Sequence, residues 1–133
     1  MMMLTKYLSK LLGLSIVLMA AGMLANKPAA LEEMNALFAD PGLMFVTGVF
    51  TMIGGLAVVL AHNRWSGSPP AVLVTFYGWV ALIKGALFIW LPPPLQADFY
   101  RAMHFDHLFY AYLGFALVLA GYLTYEGFTA VEA

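Results

Sequence analysis

The stretch Gly42–Ala61 reads GLMFVTGVFTMIGGLAVVLA and contains no charged residue. A helix of about 20 mostly apolar residues is long enough to cross the hydrocarbon core of a bilayer, which is about 30 Å thick. A helix from the core of a soluble domain would show a polar stripe at helical spacing, and this stretch shows almost none. It therefore predicts a transmembrane helix.

Three other segments have similar length and apolar character and are also predicted to span the membrane: Leu4–Ala25, Ala71–Leu91 and His107–Tyr125. The 133-residue chain is 63% hydrophobic and only 10% charged, which is too few charges to cover a water-facing surface. The lipid bilayer is thus the expected environment. A net charge of -1 without a basic stripe argues against nucleic acid as a partner, and the lack of cysteine excludes disulfides.

The connections between these segments are of two kinds. The middle connection, His62–Pro70, is short, polar and typical of a turn. The first and third, Lys27–Pro41 and Pro92–Asp106, each open near a proline and carry an amphipathic stretch. Proline suits the first turn of a helix, and amphipathic helices lie in the membrane interface, so each outer loop is predicted to contain a short interfacial helix.

The two halves of the chain resemble each other. A shift of 66 residues without a gap superposes five pairs: Pro28 on Pro94, Glu32 on Asp98, Asp40 on Asp106, Gly48 on Gly114 and Gly55 on Gly121. The expected fold is an all-α membrane protein with four transmembrane helices, built as two tandem parallel helical-hairpin repeats over about residues 4–63 and 71–128 of a single transmembrane domain, 1–133. The alternative is coincidence in an apolar sequence of limited variety.

The distribution of basic residues predicts the orientation. Lys6, Lys10 and Arg64 lie on one side of the predicted spans, while Lys27 and Arg101 lie on the other. Because lysine and arginine favour the cytoplasmic side, both termini are predicted to be cytoplasmic. The two outer loops then face the periplasm or the outside.

Lys84 is the most informative single residue because it lies inside the third predicted helix, roughly 12 Å from Pro92. A lysine near the centre of a bilayer costs about 2.5–3.5 kcal/mol on insertion scales, so it is expected to face protein and to have a partner. Asp106 is the first candidate and its repeat mate Asp40 is the second. Lys84 then has one of two roles. It lies on a pathway for a substrate or ion, or it has a structural role in an ion pair between helices or in a contact with another subunit.

Two other groups of polar residues flank the predicted spans. His104 and His107 lie one helical turn apart, but two histidines do not make a metal site, so they are interpreted as head-group contacts in the interfacial loop. The turn that closes the second span is interpreted as an anchor at the interface; it contains His62, Asn63, Arg64 and Trp65. No metal site and no cofactor are predicted.

The pattern His62-Asn63-x-Trp65, then Gly78-Trp79, Lys84-Gly85 and Pro92, resembles small uncharacterised bacterial inner-membrane proteins of four helices. It covers the middle third of the chain. The resemblance implies a bacterial inner-membrane location. It also implies that Lys84 is a feature of that group.

The sequence lacks a phosphate-binding glycine loop, a Ser-His-Asp arrangement and paired carboxylates within a helix. The leading hypothesis is therefore a membrane protein without catalytic activity, which either self-associates or is an accessory subunit of a larger membrane complex. One alternative is an oligomeric small-solute or ion transporter with Lys84 in its polar centre. The other is a metal- or lipid-dependent enzyme at the periplasmic face that uses His104, Asp106 and His107.

Overall fold

The computed structural model describes residues 2–130, and these fold into six α-helices without a β-strand. In chain order the helices are α1 (Met3–Ala25), α2 (Lys27–Ala39), α3 (Pro41–Ala61), α4 (Pro69–Trp90), α5 (Pro93–Ala102) and α6 (Phe109–Thr129). The described chain is thus all-helical, as the apolar segments predict.

Three of the long helices, α1, α3 and α4, are long and apolar enough to cross a membrane. This agrees with a multi-pass membrane protein. The fourth long helix, α6, has 21 residues, contains several tyrosines and Glu126, and falls outside this group of three. A membrane crossing by α6 stays a prediction.

Proline and side-chain caps define where the helices begin. The helices α2, α3, α4 and α5 all have proline in the first two positions, where the missing N–H is not needed. For this reason α4 begins at Pro69, before the predicted Ala71. Asn26 Oδ1 accepts a hydrogen bond from the backbone N–H of Ala29 at 3.2 Å and caps α2. The short helices α2 and α5 occupy the two outer loops, while their interfacial position stays a prediction.

The helices α3 and α4 are antiparallel and form the most extensive contact between two helices. Gly55 lies against Gly78 and Leu82, and Gly85 lies against Met52. A Cβ on Gly55 would overlap the backbone nitrogen of Leu82, and a Cβ on Gly85 would overlap that of Met52. Glycine therefore allows the two backbones to approach closely, as it does in membrane helix pairs.

The helices α1 and α6 form a second pair, also antiparallel. Gly13 of α1 lies against Ala120 and Thr124, and Gly127 of α6 lies against Lys10. Positions further along α1 therefore contact positions earlier in α6.

The two helix pairs meet at one end of the fold, where α1, α3, α4 and α6 contribute to one apolar cluster: Leu8, Leu12, Val58, Leu73, Val74, Tyr77 and Leu123. The N-terminal part of α1, the α3–α4 turn and the end of α6 lie at this end. At the opposite end α2 packs on α5, and the rings of Phe38 and Tyr100 stack with their centroids 4.4 Å apart.

The glycine correspondence expected from the 66-residue shift is wrong. Gly48 and Gly55 pack closely on α4, whereas a Cβ added at Gly114 or Gly121 would meet no atom within 4 Å. The matched glycines thus lie on different faces of their helices. A one-residue error in register has this effect, because each residue turns an α-helix by about 100°.

Candidate functional site

Lys84 is exposed on α4 and does not lie inside the protein. None of the ion pairs found among residues 2–130 involves it. Its Nζ lies 5.7 Å from the ring centroid of Phe88, a residue one turn nearer to the C-terminal end of α4. The predicted burial of Lys84 against Asp106 or Asp40 is therefore wrong for a single copy of the chain, because both carboxylates have other positions.

The two predicted partner carboxylates lie in the connections at the end of the fold formed by α2 and α5. Asp40 caps α3, and its Oδ1 accepts a hydrogen bond from the backbone N–H of Leu43 at 3.1 Å. Asp106 is exposed, and its Oδ2 lies 3.6 Å from Nε2 of His107. Capping fixes the direction of the Asp40 side chain. The sequence analysis did not predict this capping role.

The predicted interfacial residues His104, Asp106 and His107 do come together, at an open cleft of about 520 Å³. The cleft is also lined by Leu31, Asn35, Tyr100, Arg101 and Phe105. His104 has a left-handed backbone with φ of 51°, an uncommon conformation for a residue with a side chain. The two imidazole centroids are 6.3 Å apart.

The electrostatics of this cleft are mixed. Arg101 is paired with Asp98 on its own helix, and both side chains are exposed to water. Burial raises the pKa of the Tyr100 hydroxyl, and the nearby charge of Asp106 raises it further. Among the described residues no three His, Cys, Asp or Glu side chains converge in a way that could hold a metal ion. The cleft thus offers two imidazoles and a carboxylate beside aromatic rings.

The best-formed polar site lies at the opposite end and is centred on His62. This residue is only 2% exposed, although the sequence reading places it in an interfacial turn. Its Nε2 lies 2.7 Å from Thr5 Oγ1 of α1, and its Nδ1 lies 3.1 Å from Thr75 Oγ1 of α4. His62 follows the last residue of α3, so one imidazole connects three long helices.

The surrounding groups satisfy a neutral imidazole. Thr75 Oγ1 accepts a hydrogen bond from the backbone N–H of Arg64 at 2.9 Å and donates its proton to the carbonyl of Ala71 at 3.0 Å. When the Thr75 hydroxyl donates to this carbonyl, or to that of His62 at 3.3 Å, His62 Nδ1–H donates to Thr75 and His62 Nε2 accepts from the Thr5 hydroxyl. The neutral imidazole has both nitrogens satisfied in this arrangement.

Burial lowers the pKa of His62 from its ordinary value. A hydrogen bond with its own backbone opposes this effect, and the positive charge of Arg64 adds to it. Nearby in α1, the hydroxyl of Ser9 is fully buried and has no hydrogen-bond partner among the described residues.

The other residues of this turn point in different directions. Asn63 Oδ1 accepts a hydrogen bond from Trp79 Nε1 at 3.2 Å, which ties the turn to α4. The guanidinium of Arg64 contacts the sulfur of Met2, and Trp65 is exposed. The turn therefore joins helices to one another through His62 and Asn63. Its predicted role as an anchor at the membrane interface stays a prediction. Threonine inside an apolar helix was the only sequence signal for the partners of His62.

These three polar sites are separate along the length of the fold. Comparisons with protein-family models, with curated proteins and with solved structures found no match.

Proposed function

We propose that this chain is a non-catalytic subunit of an assembly in a bacterial inner membrane, either self-associating or accessory to another membrane protein. The observation that supports this proposal is the exposure of Lys84 on a helix that is apolar enough to cross a membrane. Trp90, the last residue of α4, lies six positions after Lys84, so the Cα of Lys84 lies about 9 Å from that end of the helix.

An exposed lysine at this depth is costly when it faces lipid. Insertion scales give about 2.5–3.5 kcal/mol for lysine at the centre of a helix, and the cost falls where protein groups replace the lost hydration. Since the described part of the chain offers Lys84 only the ring of Phe88, the compensating group is proposed to come from another molecule.

The native mass of the assembly tests this proposal. The chain is expressed in a bacterial host, extracted directly into lipid nanodiscs without detergent and weighed by native mass spectrometry. We expect a complex with at least one further protein chain, and we expect that Lys84→Met reduces its abundance at equal expression. Particles that contain only a single copy would contradict the subunit proposal.

Four membrane crossings with both termini in the cytoplasm complete the proposed architecture. The packing of α6 along α1 supports a crossing by α6, since Gly13 contacts Ala120 and Gly127 contacts Lys10. The N-terminal part of α1 and the end of α6 lie together with the α3–α4 turn, which supports a common side for the two termini. Reporter fusions at Ala133 and near Asn35 are expected to give opposite signals, and matching signals would remove the four-crossing arrangement.

We also propose an internal duplication with a shift of 65 residues, one less than the sequence alone indicates. Contacts in the two helix pairs correspond under this shift. The contact of Gly13 with Ala120 becomes the contact of Gly78 with Gly55. The buried Met44 of α3 corresponds to the buried Phe109 of α6.

The cluster that joins the two pairs also supports the 65-residue shift. Six of its members form three equivalent pairs: Leu8 with Leu73, Leu12 with Tyr77, and Val58 with Leu123. In such a duplication one repeat contains α1 and α3, and the other contains α4 and α6. Each helix packs on a helix of the other repeat, so the α1–α6 pair corresponds to the α4–α3 pair. Co-expressed halves divided at Gly67 should then associate, and two independently folded hairpins would contradict the proposal.

A further inference from the structure

The outward face of α4 carries a regular stripe of apolar side chains. Its members are spaced four and three residues apart and are between 43% and 82% exposed: Phe76, Val80, Ile83, Leu87 and Trp90. The stripe lies opposite the glycine face of α4 that packs on α3. Spacings of four and three are the a and d positions of a heptad, which a second helix can cover along its whole length.

Lys84 flanks this stripe at the position that follows d. In heptad packing this e position forms interhelical salt bridges, and such pairs choose the partner and its orientation. An exposed cation therefore stands at the place where a neighbouring helix would supply a carboxylate. Lipid alone would also cover an apolar stripe, but lipid tails offer nothing to a lysine at this depth.

A second copy of this chain cannot supply that carboxylate from a spanning helix. The sequences of α1, α3 and α4 contain no aspartate or glutamate. The one acidic residue of α6, Glu126, lies three residues from the end of its helix, at the end of the fold away from Trp90. In a copy with the same orientation, Glu126 and Lys84 therefore lie at opposite depths.

We infer that the α4 stripe binds a transmembrane helix of a different membrane protein, and that this helix carries an aspartate or glutamate near the depth of Lys84. This inference rests on the proposed function and refines it, because it selects an accessory subunit over self-association. The partner helix packs on the apolar stripe, and its carboxylate accepts hydrogen bonds from the ammonium of Lys84. The charge pair then fixes the depth at which the partner sits.

A designed single-span helix of leucine and alanine tests this inference in bacterial membranes. It has its N-terminus anchored in the cytoplasm, one aspartate six residues from its outer end, and one adjacent cysteine. Because the chain has no native cysteine, an Ile83→Cys variant reports contact with the designed helix through disulfide formation after mild oxidation. A Leu18→Cys variant on the exposed face of α1 is the matched control.

We expect strong cross-linking of Ile83→Cys to the designed helix and at least fivefold less for Leu18→Cys. Adding Lys84→Met, or replacing the designed aspartate by asparagine, should reduce the cross-link at least fivefold. A charge exchange, with Lys84→Glu in the chain and lysine in the designed helix, should restore it. A designed helix with its aspartate six residues from the inner end should fail.

Cross-linking that is unchanged by Lys84→Met would overturn the inference, since the stripe would then bind any apolar helix. Phospholipid that is retained in native mass spectra by the wild-type chain and lost in Lys84→Met, together with no cross-link, would assign Lys84 to a lipid phosphate and also overturn it. A self-assembled complex that does not respond to the designed helix would leave the proposed function standing and remove only the acidic partner. A single-copy particle would remove the proposed function itself.

Discussion

The α3–α4 pair and the α1–α6 pair share one antiparallel arrangement but differ in how closely their backbones approach. Four glycines line the α3–α4 contact, namely Gly48, Gly55, Gly78 and Gly85. The α1–α6 contact has only two glycines, and under the 65-residue shift Leu113 and Ala20 stand where Gly48 and Gly85 stand in the first pair. The α3–α4 contact therefore has glycine at four positions along its length, whereas in the α1–α6 contact glycine brings the backbones together at Gly13 and Gly127 and larger side chains occupy the other two positions.

This difference indicates which contacts can adjust. At Gly55 the neighbouring atoms belong to the backbone of α4, which cannot move without shifting the helix. At Gly127 the nearest atom is Cγ of Lys10, part of a flexible side chain, at 2.8 Å from an added Cβ. We therefore expect Gly55 in the α3–α4 pair to be intolerant of added volume and Gly127 in the α1–α6 pair to absorb part of it.

The largest effect is expected for Gly55→Leu. The new side chain would overlap the backbone of Leu82 and force α3 and α4 apart, with a loss of about 3 kcal/mol or more in the free energy of unfolding. Denaturation in mixed micelles measures this loss. Gly54→Leu is the matched control, because an added Cβ at Gly54 meets no atom within 4 Å. Equal losses for both variants would show that the α3–α4 contact is not as described.

A smaller effect is expected for His62, which connects the two helix pairs. His62→Ala leaves the buried hydroxyls of Thr5 and Thr75 without their shared partner, which should cost about 1–3 kcal/mol in the free energy of unfolding. The exposed His107 provides the control, since His107→Ala should change stability little.

The buried His62 should also make the free energy of unfolding depend on pH. Because burial lowers the pKa of His62 in the folded chain, the unfolded chain takes up a proton first as pH falls, near the ordinary value of about 6.5. The contribution of the neutral imidazole is therefore fully present above pH of about 6.5 and is lost as pH falls toward the lowered native pKa. Unfolding titrations of the wild type and His62→Gln should differ in slope across this window. Parallel slopes would mean that His62 titrates alike in both states.

The smallest effect is expected for Gly127→Ala in the α1–α6 pair. The Lys10 side chain can move away, and the backbone atoms Lys10 N and Lys6 O, at 3.0 and 3.2 Å from an added Cβ, require only a small shift of α1. The loss should therefore be about 1 kcal/mol, at the low end of the range for overpacked sites. Gly121→Ala on the open side of the same helix should be neutral or slightly stabilising, since alanine favours helix over glycine. A loss at Gly127 as large as that of Gly55→Leu would erase the difference between the two pairs.

Hydrophobic length and proline position made the helices predictable from sequence. The spans of α1, α3 and α4 follow from runs of apolar residues, and the short α2 and α5 follow from prolines that open amphipathic stretches. The repeat register was not predictable to the residue. Matching identical glycines gave a shift of 66, whereas the proposed shift of 65 matches buried positions that hold different residue types, as Gly55 and Ala120 illustrate.

The polar sites were harder to predict because their partners are far apart in sequence. His62 and Thr5 are separated by 57 positions, and nothing local distinguishes a buried helix-terminal histidine from a solvated one. Lys84 was correctly placed in a spanning helix, but its exposure depends on the rotation of α4, which the contacts of Gly78 and Gly85 with α3 determine. The rotation of α4 about its own axis cannot be predicted from composition alone.

The central claim is that protein covers the face of α4 beside Lys84, and site-specific photo-cross-linking in native membranes tests it most directly. A photoreactive amino acid replaces Ile83 on this face, and Leu18 on α1 is the control position. We expect a discrete protein adduct from position 83 that weakens when Lys84→Met is added, with little adduct from position 18. Adducts with lipid alone from position 83, at the level of the control, would contradict it.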